Sequence, residues 1–163
     1  SPFGTGGITL PWLQEVHLAG DLFPFERPFI AAHEKSHLKG RTEEAEANFF
    51  AWLACIGSGI PAVEYSGHFS LLGYLFGALP VAERAPFHKA LAPGVLAHVR
   101  LQRERARRRS PALMKLSHGL NNLYLKANRV SGGVANYSGV VRLALQARRH
   151  LADNAKKPLA PPH

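Results

Sequence analysis

The sequence predicts a mainly α fold (α+β, with a small N-terminal β element) in a single domain spanning 1–157, and three observations lead there. From Pro28 onward the text is built of helix-length apolar-patterned segments separated by Pro and Gly. The first 27 residues are instead rich in Gly, Pro and aromatics, and hold two short strand-like runs, Ile8-Thr9-Leu10 and Glu15-Val16-His17-Leu18. Third, 163 residues that are 46% apolar suffice to bury one sizeable core.

Taken in order, 1–27 is a lead-in with a candidate edge strand. A helix is predicted over about 28–39, started by Pro28 and stopped by Gly40. A second, apolar almost all round and therefore central, covers 43–56 and is broken by Gly57-Ser58-Gly59-Ile60-Pro61. A third follows near 67–79, ended by Pro80, and a short fourth near 81–92. Pro93-Gly94 opens a basic helix to about Arg109, and Ser110-Pro111 starts the next, through Asn128. Ser131-Gly132-Gly133 reads as a loop, 137–152 as a last amphipathic helix, and 158–163 as a disordered tail. Tyr-Ser-Gly occurs at 65–67 and at 137–139, but the flanks differ and no repeat is assigned. Cys55, the single cysteine, excludes an internal disulfide framework and a cysteine-based zinc cluster, and its apolar context makes it a core residue.

The segment with chemical content is His33-Glu34-Lys35-Ser36-His37. On a helix, histidines at i and i+4 share one face and can hold one metal ion, while the glutamate beside the first can serve as general base. A catalytic zinc takes three protein ligands, so a third is needed. Glu43, Glu44 and Glu46 all lie just downstream. Glu43 has the spacing of a metzincin ligand, although the only methionine, Met114, lies in a predicted helix rather than a turn beneath the metal. Glu44 and Glu46 fall in the first turn of the next helix, where acids also complement the helix dipole. Asn48 shares the face of Glu44 one turn on and can orient a ligating histidine through its second ring nitrogen. Glu46 is turned about 200° from Glu44 and is expected to point elsewhere, toward the N-terminal segment, but it and Glu43 stay open beside Glu44 as the third metal ligand.

HEKSH, Gly40 and EAEANFFAWLACI together resemble a bacterial family of uncharacterised zinc-peptidase-like proteins whose members carry transmembrane helices ahead of such a domain. Pro24-Phe25 to Pro28-Phe29, Tyr65-Ser66-Gly67 and Tyr124 to Asn128 are similar to the family as well. More distantly, the second helix resembles those of radiation-response and anti-repressor peptidases and of CAAX-type membrane proteases. The resemblance implies a zincin-like fold and a gluzincin-type metallopeptidase. His33, His37 and Glu44 would be zinc ligands and Glu34 the general base. For the oxyanion donor, Tyr65 and His68, read as part of a Gly-bounded loop, are the candidates. His88, His98, His118 and His150 sit at no ligand spacing and read as structural or solvated.

The expected substrate is a peptide or protein, bound in extended form along an edge strand supplied by Gly7 to His17. The net charge of +9 is concentrated in Arg100, Arg103, Arg105, Arg107, Arg108 and Arg109. Such a cluster suits an anionic membrane surface, and its lack of interleaved aromatics argues against single-stranded nucleic acid. No run reaches the ~18 apolar residues of a membrane span, and neither end reads as a signal peptide. Beginning at Ser1, the chain is expected to be a soluble piece of a longer, membrane-associated protein, on the cytoplasmic side. The competing reading is a catalytically inactive, basic membrane-surface or nucleic-acid interaction module on the same zincin scaffold.

Overall fold

The computed structural model of the protein describes residues 6–10, 12–108 and 135–155. Two short strands, β1 (Gly7–Leu10) and β2 (Glu15–Leu18), form an antiparallel hairpin with Gly7 opposite Leu18 and Leu10 opposite Glu15. Helices follow at α1 (Arg27–Leu38), α2 (Glu44–Ile56), α3 (Pro61–Ala78), α4 (Val81–Lys89), α5 (Pro93–Arg107) and α6 (Ala135–Ala155). The fold is therefore mainly α with a small N-terminal β element, as the sequence predicts. The expected helix from Ser110 to Asn128, the 131–133 loop and the 158–163 tail lie outside the described residues. No helix among the described residues is long and apolar enough to cross a membrane.

α2 is the central element. Ala47, Asn48, Ala51, Trp52 and Cys55 are its buried positions, an i, i+3/i+4 stripe that packs against α1, α3 and α6. The core joins Phe29 of α1, Ala51, Trp52 and Cys55 of α2, Leu71 of α3, and Val140 and Ala144 of α6. Burial raises the Cys55 thiol to about 11, so it stays protonated and acts as a small apolar side chain.

The largest boundary difference from expectation is at the start of α3. α3 begins at Pro61, not near residue 67, because Pro61 occupies the first turn of a helix instead of ending the preceding loop. Tyr65 and His68 are consequently helical, on α3, and not in a loop. The glycines of both Tyr-Ser-Gly segments pack closely on α2. A Cβ at Gly67 would sit 2.6 Å from Cys55 Cβ, and one at Gly139 would sit 3.3 Å from Ala45 Cβ. Ser66 is fully buried and accepts the Phe29 backbone N–H at 3.1 Å, tying α3 to the start of α1. Gly67→Ala is expected to force α2 and α3 apart and destabilise the protein by about 1–3 kcal/mol. A lowered urea midpoint at unchanged slope checks it.

Candidate metal centre

α1 and α2 are joined by a tight turn that brings their facing residues together. Gly40 adopts φ +82°, a left-handed conformation that closes α1, and the Arg41 N–H donates to Ser36 O at 3.1 Å. The chain reverses and α2 starts at Glu44, with Glu43 as its N-cap residue. The Nε2 atoms of His33 and His37 lie 3.1 Å apart. Each is 3.5 Å from a Glu44 oxygen, His33 from Oε2 and His37 from Oε1. Four ligands around zinc at 2.0–2.1 Å are separated by roughly 3.3 Å, so these spacings suit one shared ion. His33, His37 and Glu44 are the group among the described residues that could hold a metal ion.

His37 Nδ1 meets the Arg41 carbonyl at 2.7 Å; the carbonyl can only accept, so in the neutral ring Nδ1 carries the proton and the Nε2 lone pair faces His33 and Glu44. Burial holds the His33 imidazole below its ordinary pKa, opposed mainly by the Glu44 charge, and keeps it neutral. Hydrogen bonding to Glu44 raises His37 above the ordinary value and, with the two histidines, holds the Glu44 carboxyl below its own. A metal must displace that proton to bind. His33 Nδ1 is buried with no hydrogen-bond partner.

Glu34 is not one of the three converging groups; it lies under the hairpin beside them and is 8% exposed. The Thr9 hydroxyl of β1 donates to its Oε2 at 2.6 Å and lies 3.0 Å from its main-chain carbonyl. A Cβ at Gly7 would come within 2.8 Å of Glu34 Cγ and 2.9 Å of Oε1, so only glycine leaves the second carboxylate oxygen its space. The carboxylate is close enough to both histidines to act on them electrostatically.

Other expected site residues are placed differently. Glu46 does not join the trio and does not reach the N-terminal segment; its carboxylate pairs with Arg41 at 3.8 Å. Asn48 is buried on the ligand face, and its polar side chain favours the charged form of His33. Its amide, however, donates to Glu44 O at 2.7 Å, the i−4 carbonyl that an Asn in a first turn readily takes, and not to a ring nitrogen. Tyr65 Oη meets His98 Nδ1 of α5 at 2.6 Å, and the His98 ring stacks on Phe25 at 4.0 Å. That places Tyr65 in an aromatic bracket with Phe25 and Phe69, while His68 is exposed on α3. An apolar cavity of about 350 Å³ lies between α1, α3, α4 and α5, with Phe29, Phe69, Phe76 and Phe87 in its wall, and contains none of the trio.

Two contributors had no signal in the motif itself: the Arg41 carbonyl and Thr9. Gly40 hints at the first, since a left-handed residue after a helix returns the next carbonyl toward it. Nothing local marks Thr9, which meets Glu34 through a contact 25 residues long in sequence.

A family model described as a protein of unknown function (DUF3810) matches residues 1–145. No curated protein and no solved structure matches the chain.

Proposed function

The chain belongs to this family of proteins of unknown function, so its chemistry is read from its site, and we propose that it is a zinc-dependent metallopeptidase domain of gluzincin type. The observation that carries the reading is the convergence of His33 Nε2, His37 Nε2 and the Glu44 carboxylate at 3.1–3.5 Å, with Glu34 beside them. His33, His37 and Glu44 would hold the ion. Zinc, when bound, supplies a Lewis acid that activates water and polarises a carbonyl. Glu34 takes the proton of the attacking water and passes it to the leaving amine. Thr9 holds Oε2 of Glu34, and the missing side chain of Gly7 leaves room for Oε1. A peptide is the favoured substrate because β1, directly over Glu34, pairs only with β2 among the described residues and offers its other edge to an extended chain. Tyr65 is spent on His98, so an oxyanion donor is not assigned to it.

The test is zinc-loaded protein incubated with a proteome-derived peptide mixture, read by mass spectrometry. New termini that appear with zinc and vanish with a chelator support the reading. A mixture left intact by fully zinc-loaded protein counts against it.

A second reading, compatible with the first, is favoured by α5. Arg100, Arg103, Arg107 and Arg108 are exposed there, a surface for anionic lipid headgroups and for membrane association. Arg105 does not belong to that surface, being turned inward to Glu26.

A further inference from the structure

Glu46, the acid that stands outside the trio, has a different part to play. Arg41 lies in the turn between the two ligand-bearing helices, and its main-chain carbonyl is the acceptor that fixes the His37 tautomer at 2.7 Å. Its side chain is held from α2 at two points. The guanidinium is 3.8 Å from Glu46 Oε2 and 4.2 Å above the centre of the Phe50 ring. Glu46 and Phe50 are i and i+4, so they form one clamp on one face of α2. Glu44, two residues before Glu46, faces away from this clamp and into the trio. One end of Arg41 is thus anchored to the helix that supplies Glu44, and the other end orients a ligand of the helix that supplies His33 and His37.

We propose that Glu46 and Arg41 are positioning residues: the Glu46–Arg41–Phe50 clamp holds the Arg41 carbonyl on His37 Nδ1 and so presents the Nε2 lone pair toward His33 and Glu44. The inference rests on the metal reading above. An outer partner bonded directly to a ligating histidine changes metal affinity by about 10–100-fold. The carbonyl here is main chain and is loosened, not removed, when the clamp is lost, and the clamp is half-exposed. A smaller change, about three- to tenfold, is expected.

The experiment uses the full chain as wild type, Arg41→Ala, Arg41→Lys and Glu46→Gln. Zinc affinity is measured by competition with a chromophoric chelator, and the His37 tautomer by ¹⁵N NMR of the zinc-free protein at a pH where the ring is neutral. Arg41→Ala is expected to weaken zinc about three- to tenfold and to mix the Nδ1–H and Nε2–H forms of His37. Glu46→Gln is expected to move both readouts the same way by less, and Arg41→Lys to recover most of the loss. Folded variants that bind zinc within about twofold of wild type, with His37 still wholly Nδ1–H, would overturn the proposal. Should Arg41→Ala not fold, Glu46→Gln, which alters only an exposed pair, decides alone. A wild type that binds no zinc would defeat the metal reading, and the His37 tautomer in the zinc-free variants would still decide whether the clamp orients the ring.

Discussion

Replacing Glu34 by Gln is expected to leave zinc bound and to cut peptide turnover by about 100- to 10,000-fold, the usual contribution of a positioned general base. The carboxylate is not one of the three groups that converge on the ion, so the metal site should survive its neutralisation. The amide keeps the size of the carboxylate, so Gly7 still clears it and Thr9 can donate to the amide oxygen. What it cannot do is accept a proton from water. The measurement pairs kcat/KM on a cleaved peptide with zinc content by elemental analysis. Turnover lost together with zinc would show that Glu34 supports binding instead of proton transfer. Unchanged turnover would remove it from the mechanism.

Arg105→Ala should produce the largest loss of stability, about 3–5 kcal/mol, because it strands a buried carboxylate. Glu26 is 5% exposed at the start of α1, and Arg105 Nη2 donates to its Oε1 at 2.6 Å. Gln102 and the Phe23 N–H also donate to it, and the Arg105 guanidinium lies 4.9 Å from the centre of the Phe23 ring. This network pins α5 to the loop before α1, and loosening it frees the end of the helix that carries both histidines. Burial by itself would raise the Glu26 carboxyl. The donations from Arg105, Gln102 and Phe23 outweigh it and leave the group below its ordinary 4.5. A carboxylate with a depressed folded pKa stabilises fully above its unfolded value and loses that contribution as pH falls through the folded pKa. Wild type should therefore exceed Arg105→Ala most at neutral pH, and the gap should narrow below pH 4.5. Urea unfolding at pH 7 and pH 4 checks both size and sign. A difference that is small at pH 7, or that widens in acid, would contradict the account.

The fold and half of the site were legible for identifiable reasons. HExxH spacing is a property of helix geometry, so His33 and His37 could be placed on one face without tertiary information. The angle between neighbouring helical positions favours Glu44 over Glu46 but leaves both open, and the approach of Glu44 to the two histidines is visible only in the fold. α3 was misjudged at its start because Pro61 both ends a loop and begins a helix, and local sequence does not separate the two. The loss of Tyr65 to His98 depends on a contact 33 residues away, and Thr9 on one of 25, neither written in any periodicity. Arg105 looked like one charge in a basic run. Only the packing of α5 against Glu26 distinguishes it from Arg103 or Arg107, which share its helix and its chemistry.

The most direct measurement is anomalous diffraction at the zinc edge from crystals of the zinc-loaded protein. The account predicts one strong peak per chain, bonded to His33 Nε2, His37 Nε2 and the Glu44 carboxylate, with Glu46 still on Arg41. No peak at that position, or an ion held by Glu43 or Glu46 in place of Glu44, would contradict it.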